Sequence, residues 1–326
     1  MPRRVAEEEP SLTPEGLVGR APFVNGKETH RLVRATNGRA LNVTEGGDPS
    51  GWPIFVLHGT PLYGRLYPPH LRAAASRGVR LIGYDRPGYG GSDPSPGRTV
   101  ADAAGDVAAI ADALDVPRFA VWGHSGGGPH ALACAATLTD RLSAVAASAS
   151  IAPREALGLD WLSGMGEGNV GEFRSAAMGR EPLLRFLEPQ VRGMMHAKDE
   201  MSPELRSLLS PVDLETLNGE LGTYLGVAAT EGLASGLAGW VDDDLAFVRP
   251  WRFELDHLRI PVSIWHGKLD QFVPYAHGVW LGAHIPNSEL KVFDFEGHLS
   301  LFDRHAPDIF DWLLARRDSA YHVRSG

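Results

Sequence analysis

Residues 119 to 139, FAVWGHSGGGPHALACAATLT, contain no Asp, Glu, Lys or Arg, so the fold must hide this stretch from water or place it in a membrane. A helix crossing a bilayer needs about 20 mainly apolar residues in one run. This stretch is broken by Gly123, Gly126, Gly127, Gly128 and Pro129 and carries His124 and His130, so no membrane span is expected. The alternative is a buried strand over 119–123, a sharp turn, and a helix over 126–137. Pro129 then sits in the first helical turn, where a missing N–H is tolerated. A buried strand running straight into a helix belongs to a mainly parallel sheet with helices on its faces.

The same alternation repeats along the chain. RLVRAT and RALNVTEGG read as paired strands around Asn37-Gly38. PIFVLHG, RLIGYD, FAVWG, SAVAASAS, PVSIWHG and ELKVFDF read as strands, with helices near 60–77, 99–114, 126–137, 275–284 and 299–317 between and after them. Residues 152–248 break the pattern and read as several short helices separated by Gly and Pro. The expected organisation is an N-terminal arm over 1–28, an α/β core over 29–151 and 249–326, and a helical insertion over 152–248.

Composition bounds the function. With 43% hydrophobic and 22% charged residues, the chain has globular rather than disordered character. A net charge of −9 and no basic run beyond Pro2-Arg3-Arg4 argue against a nucleic-acid partner, which needs clustered cations. The single cysteine, Cys134, excludes an intrachain disulfide and lies in an apolar run where packing is the expected role. The N-terminus is acidic after its two arginines and does not read as a secretory signal, so a cytoplasmic protein is expected. No HExxH, Cys-rich, Walker or G-x-G-x-x-G pattern is present, so neither metal nor cofactor is implied.

Gly123-His124-Ser125-Gly126-Gly127 fits G-x-S-x-G, the strand-to-helix turn that presents a nucleophilic serine. With 38 glycines among 326 residues and 20 serines, roughly 0.3 such matches arise by accident, so context must decide. The context is a turn at the carboxyl edge of a parallel sheet. A serine hydroxyl needs a base held by an acid, here expected in the order Ser, Asp or Glu, His. Asp270 follows one expected strand and His298 follows the next, so both reach the same edge as Ser125. Taken singly, Asp270 could cap a helix and His298 could be a packed core histidine. Gly126, after the nucleophile, and Thr60, after the strand PIFVLHG, are the expected backbone donors to an oxyanion. His58 as a second base and Asp85 as the acid are the rival assignments.

These residues, together with His58-Gly59-Thr60-Pro61, GYDRPGYGGS at 83–92, GKLDQFVP at 267–274 and EGH at 296–298, resemble the α/β-hydrolase superfamily. The resemblance covers residues 30–317 and implies an α/β-hydrolase fold whose helical insertion is a cap. It also implies that Asp85 and Arg86 hold a loop beside the entrance. Serine at 125 separates the chain from relatives with an aspartate nucleophile, the epoxide hydrolases and haloalkane dehalogenases.

The expected activity is hydrolysis of a carboxylic ester, a small-molecule substrate, through an acyl-enzyme on Ser125. A proline-iminopeptidase-like aminopeptidase, a carbon–carbon bond hydrolase and a non-catalytic binding member of the fold are the alternatives. An aminopeptidase would need a carboxylate for the substrate ammonium, and Glu167, Glu172 and Glu231 are the candidates, each in a setting that suits a solvated acid. Met165, Phe173 and Met194 are expected to line an adaptable apolar pocket, and Asp242-Asp243-Asp244 reads as a solvated hinge or helix start.

Overall fold

The computed structural model describes residues 28–196 and 201–318, so the expected arm lies outside the described residues except for Glu28. Eight strands form one sheet: β1 (Thr29–Arg34), β2 (Ala40–Gly47), β3 (Trp52–Leu57), β4 (Val79–Tyr84), β5 (Phe119–His124), β6 (Leu142–Ser148), β7 (Val262–Gly267) and β8 (Glu289–Phe293). Their order is β1-β2-β4-β3-β5-β6-β7-β8. β2 runs antiparallel to both of its neighbours, and every pairing from β4 across to β8 is parallel. The mainly parallel sheet expected from the apolar runs is present.

Helices α1 (Pro68–Ala75), α2 (Ala103–Ala113), α3 (Gly127–Thr137) and α10 (Ala276–His284) lie in the crossovers, and with α11 (His298–Leu314), which follows β8, they cover both faces. Successive strand residues point to opposite faces, so a strand buried on both sides must be apolar throughout. Phe55 and Val121 pack into one core with Ile110 of α2 and Leu132 of α3. Their neighbours Ile54 and Trp122 pack into the other with Leu71 of α1 and Phe310 of α11. Each such side chain, fully buried, contributes about 1.5–3 kcal/mol. Cys134 is buried in the first of these cores.

Between the adjacent strands β6 and β7 the described residues form six α-helices: α4 (Glu167–Met178), α5 (Arg180–His196), α6 (Pro203–Leu208), α7 (Pro211–Thr216), α8 (Glu220–Gly232) and α9 (Ala238–Phe247). Ser202 and Ser210 cap α6 and α7, each accepting from a backbone N–H three residues on, and a proline opens each helix. Not all six are short, since α5 runs for 17 residues. Among the described residues no helix is long and apolar enough to cross a membrane.

Candidate active site

The carboxyl ends of β3, β5, β7 and β8 meet at one cavity. Ser125 follows β5 directly and takes a left-handed φ of +54°. For a residue with a Cβ, that conformation costs about 1–2 kcal/mol. The turn is locked by Ser125 N–H donating to Ser148 O at 2.8 Å and Gly128 N–H donating to Ser125 O at 2.9 Å. The flanking glycines are there for closeness: a Cβ at 123 would lie 2.2 Å from Gly127 O, and one at 127 would lie 2.0 Å from Leu57 O. The G-x-S-x-G spacing is thus the spacing at which β5, α3 and β3 can touch with the serine thrown outward.

Asp270 and His298 come together as the chain order predicts. His298 Nδ1 is 2.8 Å from Asp270 Oδ2. The other oxygen, Oδ1, accepts from Phe272 N–H at 2.9 Å and Val273 N–H at 2.8 Å. A carboxylate only accepts, so Nδ1 carries a proton, and in the neutral ring Nε2 is the nitrogen with the lone pair. The imidazole is buried and stacks on Phe272 with ring centroids 4.5 Å apart. Ser125 and His298 both line the cavity. Neither Ser125 Oγ nor His298 Nε2 has a hydrogen-bond partner among the described residues, the looser arrangement usual before substrate binds.

Thr60 and Gly126 lie against each other, since a Cβ on Gly126 would sit 2.4 Å from Thr60 Oγ1. A Cβ on Gly59 would lie 3.7 Å from Ser125 Oγ, so the turn after β3 flanks the serine. The backbone N–H groups of Thr60 and Gly126 make no hydrogen bond among the described residues. Two free donors therefore stand beside Ser125.

The rival residues are otherwise engaged. His58 donates from Nδ1 to Gly59 O (2.8 Å) and accepts Arg86 N–H at Nε2 (3.1 Å), which occupies both ring nitrogens. Burial, then the Arg86 charge, holds its pKa well below 6.5. Asp85 accepts from Gly64 N–H, Gly91 N–H and Asn42 Nδ2 at 2.8–2.9 Å, so it ties two loop segments to strand β2 and makes no bond to His298.

Beneath Thr60 lies a buried network that sequence reasoning missed. Asp243 accepts from Thr60 Oγ1 (2.7 Å), Arg86 Nη2 (2.6 Å), Arg98 Nη1 (2.6 Å) and Tyr89 OH (2.9 Å), with His130 Nε2 at 3.3 Å. Burial alone would raise its pKa, but Arg86 and Arg98 outweigh that and hold the carboxyl well below the ordinary range. The expectation that Asp242-Asp243-Asp244 is solvated is corrected: all three are buried within α9. Asp242 pairs with Arg180 at 2.7 Å. Asp244 shares a buried site with Glu172, and burial followed by the Glu172 charge raises its pKa well above the ordinary carboxylate range. Arg86 holds the loop as expected, but its partner comes from 157 positions away.

The cavity holds about 720 Å³. Beyond the catalytic edge its walls include Leu205, Leu209, Leu217, Tyr224, Leu225 and Phe302. Met165 and Phe173 are not in this lining. They are buried in the α/β core cluster, where Phe173 meets Trp161 edge-on at 4.7 Å, and the pocket role expected for them is corrected. The side chain of Met194 lies outside the described residues. Met201 does line the cavity. Unbranched methionine suggested adaptability, but leucines on or beside α6, α7 and α8, namely Leu205, Leu209, Leu217, Leu225 and Leu233, supply apolar wall alongside Met201. No cluster of three or more His, Cys, Asp or Glu able to hold a metal ion occurs among the described residues.

With this geometry in hand, comparison with known proteins is informative. A family model described as the alpha/beta hydrolase fold matches residues 53–305. An AB hydrolase superfamily protein of Bacillus subtilis (strain 168), YisY, is 29% identical over 259 residues, covering 78% of this chain and 87% of its own length. A non-heme chloroperoxidase of Streptomyces lividans is 26% identical over 265 residues, covering 80% of this chain and 90% of its own. The solved structure of a thermophilic esterase from Thermogutta terrifontis superposes with a TM-score of 0.64 at 20% identity, over 89% of this chain and 99% of that one.

Proposed function

The chain belongs to the alpha/beta hydrolase fold family, a group of mostly hydrolytic enzymes, and on that basis we propose that it cleaves uncharged carboxylic esters with a Ser125–His298–Asp270 triad. The observation that carries this reading is the 2.8 Å contact of His298 Nδ1 with Asp270, in the same cavity as a serine held at φ +54°. Ser125 Oγ attacks the ester carbonyl while His298 Nε2 takes its proton, and Asp270 keeps the imidazole in the tautomer that can do so. The N–H groups of Thr60 and Gly126 bind the oxyanion of the tetrahedral intermediate. Collapse expels the alcohol, which receives the proton from His298, and leaves Ser125 acylated. Water, deprotonated by His298, then attacks the acyl group, and the acid leaves as Ser125 Oγ is reprotonated.

Helices α4–α9 serve in this reading as a cap over the substrate, since α6 and α8 supply leucines to the cavity wall. The wall favours an apolar acyl or alcohol group at about 0.8 kcal/mol per methylene buried. An aminopeptidase would need a carboxylate free to meet an ammonium. Glu231 instead accepts from Arg65 Nη1 at 3.2 Å and from Tyr63 OH. Glu172 accepts from Trp240 Nε1 at 2.7 Å, and Glu167 is exposed away from the cavity lining.

The test is stoichiometric labelling of Ser125 by a fluorophosphonate, with kcat/KM compared on short- to medium-chain esters and on aminoacyl arylamides at neutral pH. Labelling with faster ester cleavage is the expected result. No labelling would end the serine-hydrolase reading, and faster cleavage of the arylamides would replace the ester reading with the aminopeptidase.

A further inference from the structure

Helix α11 begins at His298, so the catalytic base sits on the first turn of a helix whose opening N–H groups have no acceptor within the helix. Gly297, just before it, has no side chain with which to cap them. The acceptor comes from 85 positions upstream. Asp213, buried on the six-residue helix α7, takes His298 N–H on Oδ2 at 3.1 Å. On Oδ1 it takes Leu299 N–H at 2.8 Å and Ser300 N–H at 3.0 Å. Ser210 Oγ donates to the same carboxylate at 2.8 Å. Glycine at 297 makes room for it, because a Cβ there would lie 2.3 Å from Asp213 Oδ2 and 2.5 Å from Ser210 Oγ.

We propose that Asp213 is a positioning residue for His298: α7 holds the main chain of the base while Asp270 holds its ring. The proposal rests on the triad reading given above. The imidazole is fixed at two ends, its ring by a carboxylate of the core and its backbone by a carboxylate of the segment between β6 and β7. Leu209 and Leu217, on either side of α7, line the cavity, so the helix that grips the base also borders the substrate. The neutral isostere at 213 can offer one oxygen to Leu299 and Ser300. Its amide then faces His298 N–H as donor against donor, and the base loses its anchor.

The experiment compares Asp213→Asn with the wild type for kcat, KM and fluorophosphonate labelling rate. A misplaced base slows chemistry by about 10- to 100-fold, so kcat and the labelling rate should fall together by that factor while KM stays within about twofold. A folded Asp213→Asn protein with unchanged kcat and labelling rate, merely less stable, would overturn the proposal by showing a plain helix cap. If that variant does not fold, Ser210→Ala weakens the same carboxylate's hold and should slow labelling about two- to threefold, the loss of one hydrogen bond's ~0.5 kcal/mol. An unchanged labelling rate there would equally overturn it. A wild type that is not labelled at all is a different failure, that of the triad reading.

Discussion

The α/β core and the helices between β6 and β7 differ in the ionisable groups they bury: both bury carboxylates, Glu45, Asp85, Asp106 and Asp270 among those of the core, but among the described residues every buried histidine belongs to the core. The core buries His58, His70, His124, His130, His266 and His277, and burial lowers the pKa of each. The helical segment buries Asp213, Asp242, Asp243 and Asp244. Most of the histidines bond to groups within the core: His70 to Phe302 O, His124 to Ser148 Oγ and His266 to Val273 O. Two of the carboxylates reach out of their own segment, Asp243 to Thr60, Arg86 and Arg98 and Asp213 to the first turn of α11. In the proposed mechanism the chemistry sits on the core, and the segment grips it at two points, one under the proposed oxyanion donors and one under the proposed base.

That division ranks the expected effects. Ser125→Ala should lower kcat by about 10⁶, the usual cost of removing a triad nucleophile. Asp270→Asn should cost about 10⁴, because the ring can then adopt the wrong tautomer. Circular dichroism and the urea midpoint should stay near wild type for Ser125→Ala. If a well-folded Ser125→Ala protein kept even a tenth of its activity, the chemistry would have to lie elsewhere.

Asp243→Asn acts on the join rather than on the chemistry. It leaves Arg86 and Arg98 buried without their counter-charge, and breaking such a pair costs about 3–5 kcal/mol. Urea denaturation measures that loss. In the folded remainder, Thr60 loses the partner of its hydroxyl, so kcat should fall more than KM rises. A stability change below about 1 kcal/mol would mean that the network is no more than a surface-like ion pair.

The sign of the pH dependence should separate the two regions. A histidine whose folded pKa is lowered binds fewer protons than in the unfolded chain, so its contribution falls as pH drops below about 6.5. For His277 the fall continues to about 4, and for His70 to about 3. The raised Asp244 has the reverse sign: its contribution is present below the ordinary carboxylate range and is lost as pH rises through its raised value. Urea midpoints from pH 5 to 9 should therefore decline at the acid end, each histidine adding up to about 1.4 kcal/mol per pH unit. Asp244→Asn should remove a loss that begins just above the ordinary carboxylate range, so its midpoints should climb more steeply than the wild type's as pH rises from 5 to about 6.5. An Asp244→Asn curve parallel to wild type throughout would remove the carboxylate pair from the account.

The two regions also differ in how much the amino-acid sequence discloses. The central strands β3 to β7 are short, mainly apolar runs bounded by Gly, Pro or Asp, and the proposed catalytic residues fall within five positions after β5, β7 and β8, so Ser125, Asp270 and His298 could be placed on one edge. The segment offers no such frame. Asp242-Asp243-Asp244 looks like a solvated charge run because its partners, Arg86, Arg98 and Arg180, stand 157, 145 and 62 positions away. Only the fold brings them together. The signal that could have been used was local: a Trp-Val before the triplet and a Leu-Ala-Phe after it, with helical spacing, would bury part of any helix carrying it. Asp213, flanked by Val212 and Leu214, was open to the same reading.

The smallest effect tests which apolar residues meet substrate. Phe173 packs on Trp161 in the core cluster, whereas Leu209 faces the cavity. Phe173→Leu keeps an apolar group of similar size, so it should cost at most about 1.5 kcal/mol of stability. It should leave kcat/KM unchanged for every ester. Leu209→Ala removes wall from the cavity at about 0.8 kcal/mol per methylene of substrate contact, which is close to fourfold in kcat/KM for each methylene no longer covered. That loss should appear with medium-chain esters and shrink with acetates, whose short acyl group leaves less to cover. Leu209 also adjoins the cap of α7, so a fall in kcat common to all chain lengths would signal a shifted base. A chain-length-dependent loss isolates the wall. If Phe173→Leu rather than Leu209→Ala carried the chain-length dependence, the core and the cavity wall would have to be exchanged in this account.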